Sequence, residues 1–189
     1  MRRICLLGAE CTGKTTLARA LALHFNGRYV PEALRQFCDD HGRTPAQAEQ
    51  STLIDLQLAQ EDQADQAEQR GGQPGQDLLF CDTAPLLTAV YSQHYFGDHS
   101  LLERARSLHP RYSLTLLLEP DLPWVGDGVQ RDGPSAQARV HALLLQALVG
   151  VDNVVPVGGT GPFRTQAAIG ALERWLAVTG EEKPQNAIF

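Results

Sequence analysis

Gly8-Ala9-Glu10-Cys11-Thr12-Gly13-Lys14-Thr15 fits the phosphate-binding pattern G-x-x-x-x-G-K-[ST] at every fixed position. Ile4-Cys5-Leu6-Leu7 precedes it, a short apolar run suited to a buried strand. Leu17, Leu21 and Phe25 follow at four-residue intervals, which is helical spacing. The loop therefore joins a strand to a helix, the context in which this pattern makes a site. Two glycines let the backbone turn tightly and approach an anion with no Cβ between them. Successive N–H groups then form a nest for negative charge, and the positive end of the following helix adds to it. Gly8, Ala9, Glu10, Cys11, Thr12, Gly13, Lys14, Thr15 and Thr16 are the candidate nucleotide-binding residues. Lys14 would bridge the outer phosphates, and the Thr15 hydroxyl would ligate Mg²⁺.

Outward from the loop, strand and helix signals alternate, which predicts an α/β fold. The expected form is a three-layer P-loop NTPase fold, a parallel sheet of about five strands with helices on both faces. The chain has 189 residues, a single-domain length. The domain is expected to fill residues 1–179, with a flexible tail at 180–189. Hydrophobic residues make up 43% of the chain and the formal net charge is -6, without a Lys/Arg cluster. That balance argues for a globular protein and against nucleic acid as a partner. No apolar run approaches the roughly 20 residues of a membrane span. The first strand begins too close to Met1 for a signal peptide. Cys5, Cys11, Cys38 and Cys81 form no C-x-x-C pair and read as reduced thiols of a cytoplasmic protein. The six histidines are scattered, and none reads as a metal ligand.

Three further stretches offer chemistry. Gly27–Pro31 reads as a second strand, and a helix can begin at Glu32. Ligands of open α/β sheets lie beyond the carboxyl ends of the strands, so Glu32 and Arg35 are candidate substrate-binding residues. An acid favoured by a helix dipole is the competing reading of Glu32. Asp77-Leu78-Leu79-Phe80-Cys81-Asp82-Thr83 is an apolar strand ending in Asp, as in the second half of a phosphate-loop enzyme. Asp82 could hold Mg²⁺ directly or through water, take a proton from an attacking hydroxyl, or cap the next helix. The Gly/Pro-rich segment 121–134 is long for a plain connection. It reads as a lid, with Trp124 on the substrate side and Arg131 bringing positive charge to a transferring phosphoryl group.

Elsewhere the pattern fixes scaffold. Thr44-Pro45 is expected to cap and start a long helix, with Leu53, Ile54, Leu56 and Leu58 on its apolar side. The Gln/Glu/Asp-rich run 60–69 reads as its solvated face. Tyr112–Leu118 and Val154–Val157 read as strands, the latter at an edge where Pro156 is tolerated. The closing helix carries Ile169, Leu172, Trp175 and Leu176, and the loop before it is placed by analogy at the base pocket.

Several strings together carry a family resemblance. They are the loop with its internal Glu10, Tyr29-Val30-Pro31-Glu32-Ala33 with Arg35, Asp82-Thr83 with Thr88, Val90 and Tyr91, and Leu118–Val125 with Asp127-Gly128. The chain resembles the ribosylnicotinamide kinase domain of bacterial NAD-biosynthesis regulators, within a wider AAA-type ATPase and kinase family. The resemblance runs from about residue 3 to about residue 176. It implies an ATP- and Mg²⁺-dependent kinase acting on the ribose 5′-hydroxyl of nicotinamide riboside, to give nicotinamide mononucleotide. The adenylyltransferase and DNA-binding domains of such regulators have no counterpart in this sequence, and Arg131 can be one residue out of register with the family's lid arginine. On that reading Lys14, Asp82, Glu32 and Arg131 are the catalytic residues, and Thr15 and Asp82 the metal ligands. A kinase for another nucleoside or small metabolite, and a regulatory ATPase without a small acceptor, are the alternatives.

Overall fold

The computed structural model describes residues 1–69, 77–124 and 133–180, with the side chains of 67–69 and 180 left out. Among the described residues, five strands alternate with helices. They are β1 (Arg2–Leu7), β2 (Arg28–Val30), β3 (Leu78–Asp82), β4 (Leu114–Leu118) and β5 (Val154–Val157). The sheet order is β2-β3-β1-β4-β5, and every neighbouring pair is parallel. β1 thus lies at the centre, flanked by β3 and β4. The three central strands are rich in Leu, with Ile, Phe and Cys, because both of their faces are covered.

The pleat of β1 divides the core. Cys5 and Leu7 face the side packed by α4 (Pro85–Phe96), α5 (Leu102–Leu108) and α6 (Pro134–Ala147). Ile4 and Leu6 face the side packed by α1 (Lys14–His24) and α7 (Pro162–Gly180). Leu17 and Leu21 of α1 are buried against Phe80 and Leu116 on that side. α2 (Ala33–His41) and α3 (Gln50–Gln69) complete the first face near β2.

Several boundaries differ from expectation. Thr44 and Pro45 do not open α3, because a 3₁₀ turn at Gln47–Glu49 comes between. There Glu49 accepts from the Ala46 N–H at 2.7 Å and pairs with Arg43, so this side chain takes over the capping role. Leu53 and Ile54 are buried as expected, whereas Leu56 is exposed. β4 starts at Leu114, after a second 3₁₀ turn, and Tyr112 lies before it.

The Gln/Glu/Asp run of α3 is not simply a solvated face. Glu61 is fully buried. It accepts from Tyr112 Oη at 2.8 Å and Gln57 Nε2 at 3.2 Å, and lies against Arg111. Asp62 and Asp65 each pair with Arg3 at 2.8 Å, and Asp62 also pairs with Arg111. These charges tie α3 to the amino-terminal ends of β1 and β4. Pairing is what allows a carboxylate to be buried. Among the described residues, no helix is long and apolar enough to cross a membrane.

Candidate active site

The phosphate loop leaves β1 at Leu7 and enters α1 at Lys14. Gly13 is the N-cap, at φ 79° and ψ 21°, a left-handed conformation that glycine adopts without strain. Cys11 is also left-handed, at φ 56°. Gly8 is fixed by space: a Cβ there would stand 2.8 Å from Thr12 Oγ1 and 3.1 Å from the Leu118 carbonyl oxygen.

Side chains hold the loop by its carbonyls. Thr12 Oγ1 donates to the Ala9 carbonyl at 2.8 Å, and Lys14 Nζ donates to the same oxygen at 3.0 Å. Gln137 of α6 donates to the Glu10 carbonyl at 2.7 Å. Arg164 of α7 donates to the Thr12 carbonyl at 2.8 Å. Tyr95 Oη donates to the Glu10 carboxylate at 2.9 Å, joining the loop to the end of α4. Thr15 is half-buried and Thr16 exposed in the first turn of α1.

The register of β1 and β3 pairs Leu6 with Asp82, so Asp82 emerges beside the root of the phosphate loop. It is fully buried. Oδ2 accepts from Tyr29 Oη at 3.0 Å, while Oδ1 has no hydrogen-bond partner among the described residues. Burial and the Asp82 charge push the Tyr29 hydroxyl up to about 12, so it stays a donor. Thr83 then turns sharply at φ 91°, a strained value for a β-branched residue, with its N–H on the Leu6 carbonyl at 3.1 Å.

Glu32 stands at the end of β2 as the N-cap of α2, half-buried, with extended backbone. Its side chain makes no capping hydrogen bond. Burial raises its carboxyl above the usual range; Lys14 opposes this, Asp82 adds to it, Arg35 opposes it and Glu10 adds to it. Glu32, Asp82, Glu10, Lys14 and Arg35 thus share one electrostatic neighbourhood. Lys14 is buried and Arg35 exposed. Trp124 is half-buried. Arg131 and the rest of the expected lid from 125 to 132 lie outside the described residues, as does the tail from 181.

The donor set fits Mg²⁺. That ion takes oxygen ligands, and binds through one or two carboxylates together with water and substrate phosphates. Asp82 Oδ1 is a buried carboxylate oxygen with nothing on it among the described residues. Thr15 supplies a hydroxyl one helical residue beyond Lys14. Among the described residues, no cluster of three His, Cys, Asp or Glu makes a self-sufficient metal cage.

Two contributors escaped the sequence reading. Tyr29 enters the sequence reading only within the second strand and the family resemblance, with no role at the site. Arg164 is 4% exposed and touches three loops. One signal was available for it: it stands third in α7, where a cation opposes the helix dipole.

A central parallel strand feeding a glycine-cornered loop into a helix defines a P-loop nucleotide-binding protein of the α/β class. A family model described as an AAA domain matches residues 3–161, and the chain belongs to that family. Among curated proteins, the chain is 27% identical over 155 residues to the trifunctional NAD biosynthesis/regulator protein NadR of Salmonella typhimurium. The match takes in 82% of this chain and 37% of the relative, so the chain spans little more than a third of that protein's length. Among solved structures, a NadR protein in complex with NR superposes with a TM-score of 0.72 at 22% identity, over 92% of this chain and 50% of that one. A NadR protein in complex with NAD and AMP-PNP gives 0.70 at 23%, over 92% and 49%. Thymidylate kinase from Candida albicans gives 0.60 at 16%, over 98% and 95%. At these identities the structural matches speak to the fold.

Proposed function

We propose that this chain is an ATP-dependent kinase that phosphorylates a nucleoside-like hydroxyl, with nicotinamide riboside as the foremost acceptor and nicotinamide mononucleotide as its product. The observation that carries this reading is the pair of carboxylates around Lys14. Asp82 leaves β3 beside the phosphate loop, and Glu32 follows β2, with the charges of Lys14 and Asp82 acting on its carboxyl. Transfer to an alcohol needs a group to receive its proton, and Glu32 at the end of β2 is the candidate for it. The resemblance to NadR, and the NR and AMP-PNP carried by NadR structures, support this choice of substrates.

The chemistry is an in-line displacement. The amides of the loop and the Lys14 ammonium balance charge on the β- and γ-phosphates of ATP. Glu32 receives the proton of the acceptor hydroxyl as its oxygen bonds to the γ-phosphorus. The bond from that phosphorus to the bridging oxygen breaks, and ADP leaves with the electron pair. A carboxyl raised by burial suits a proton acceptor better than an ordinary Glu. Asp82 and Thr15 would hold Mg²⁺, which supplies a Lewis acid at the transferring phosphates. Tyr29 holds Asp82 Oδ2, leaving Oδ1 toward that role.

The test is ATP consumption against a panel of nucleosides, with thermal denaturation in the presence of AMP-PNP as the binding readout. Nicotinamide riboside should give both turnover and the largest rise in melting temperature. Turnover with another nucleoside alone would replace the substrate and keep the enzyme class. Slow ATP hydrolysis indifferent to every nucleoside would overturn the kinase reading.

A further inference from the structure

Arg164 makes no contact that an ordinary surface helix requires. Its guanidinium donates from Nε to the Gly159 carbonyl at 2.8 Å, from Nη1 to the Thr12 carbonyl at 2.8 Å, and from Nη2 to the Glu119 carbonyl at 3.1 Å. Nη2 also pairs with Asp121, whose other oxygen accepts the Gly159 N–H at 2.6 Å. One buried side chain therefore clasps the segments that leave β1, β4 and β5. A planar fork with five donors can do this, and a lysine ammonium cannot cover the same directions.

The bond to Thr12 has a consequence for the site. In a trans peptide the C=O of one residue and the N–H of the next point in opposite directions. Among the described residues there is no cis peptide. Drawing the Thr12 carbonyl toward α7 therefore turns the Gly13 N–H the other way, into the anion nest at the start of α1. Glycine at 13 leaves this peptide free to rotate in the unbound chain, so some group must fix it.

We propose that Arg164 is a positioning residue for nucleotide binding: it locks the Thr12–Gly13 peptide so that the Gly13 N–H faces the phosphates, and couples that lock to the segments at 119–121 and 159. This rests on the reading of the loop as the ATP site. The acceptor side, built on β2 and α2, is not clasped by Arg164.

The experiment compares Arg164→Lys with the unaltered protein by calorimetric titration of AMP-PNP and by steady-state kinetics, on samples shown to be folded by circular dichroism. The expected result is a loss of about tenfold in AMP-PNP affinity (about 1.4 kcal/mol) and a matching rise in KM for ATP. The acceptor KM should stay within twofold. Millimolar methylguanidinium should restore ATP affinity to a folded Arg164→Ala variant. If neither Arg164 variant folds, Asp121→Asn loosens the same guanidinium without removing it and should weaken AMP-PNP by a smaller factor. A folded variant with unaltered AMP-PNP affinity overturns the lock while leaving the kinase reading intact. So does a fall in kcat alone, which marks a smaller active fraction. If the unaltered protein binds no AMP-PNP, both readings fall.

Discussion

Replacing Gly8 with alanine tests whether the loop is shaped by packing as tightly as its geometry implies. The new Cβ would stand 2.8 Å from Thr12 Oγ1, 3.1 Å from Leu118 Cβ and 3.1 Å from the Leu118 carbonyl oxygen. Leu118 ends β4 and is fully buried, so it has little room to retreat. Thr12 Oγ1 is the atom that donates to the Ala9 carbonyl, so its escape breaks a bond inside the loop. Overpacking of this kind costs about 1–3 kcal/mol. For a domain of this size, a loss of about 2 kcal/mol lowers the melting temperature by roughly 4–8 °C. Gly27→Ala is the matched control: its Cβ would meet Phe80 at 2.7 Å and the Leu78 carbonyl at 2.8 Å, between α1 and β2 and away from the loop. Differential scanning calorimetry with and without AMP-PNP separates the two. Gly8→Ala should lose both stability and the rise produced by the nucleotide. Gly27→Ala should lose stability and keep that rise. A Gly8→Ala protein with the parental melting temperature and the full nucleotide-induced rise would refute the reasoning.

Lys14→Ala should abolish turnover with little change in the far-ultraviolet circular dichroism, and retained kinase activity would remove Lys14 from the site. Glu32→Gln should lower kcat steeply and remove the acid limb of the pH–rate profile, which a carboxyl raised by burial places above the usual glutamate range. Asp82→Asn should instead raise the Mg²⁺ concentration needed for half-maximal rate; the opposite assignment of these two signatures would exchange their roles. Stability should rise with pH through the range set by His109. Burial depresses this ring from 6.5 to about 4, so between those values the unfolded chain binds the extra proton. The associated stability, on the order of 3 kcal/mol, is full above 6.5 and lost as the pH falls toward 4. Urea melts at pH 4.5 and 7 should differ less in His109→Gln than in the parent.

The phosphate loop was legible because its conformation is written in contiguous residues: two glycines, a lysine and a threonine between an apolar run and a helical repeat. The central strands were legible for a related reason, since burial on both faces leaves an unbroken apolar string. What failed to show were side chains whose partners lie far along the chain. Glu61, Asp62 and Asp65 read as a solvated helix face because Arg3 and Arg111, which neutralise them, stand 49 to 62 residues away in the hydrogen-bonded pairs. Arg164 meets Thr12 across 152 positions, and no local pattern encodes that. Tyr29 had no role in the sequence reading beyond its strand and the resemblance string, and the β2–β3 and β1–β3 registers bring its hydroxyl to Asp82.

The same distant contacts explain why the loop can be ready for an anion before one arrives. A glycine-containing loop could turn carbonyl oxygens toward a phosphate as easily as N–H groups, and that would repel it. Here the carbonyls of Ala9, Glu10 and Thr12 each accept from a side chain. The bonds from Gln137 to the Glu10 carbonyl and from Arg164 to the Thr12 carbonyl each fix one peptide plane and so direct the following N–H, of Cys11 and Gly13, the opposite way. The donors come from the loop itself, from α6 and from α7, so helices on both faces of the sheet hold the loop. Ordering it in the folded protein removes that entropy from the binding step. On the kinase reading proposed above, it would also place dipoles where charge develops during phosphoryl transfer. The consensus glycines allow this conformation, but side chains outside the consensus select it. Loss of Gln137 or Arg164 should therefore weaken nucleotide binding even with the sequence from Gly8 to Thr15 intact.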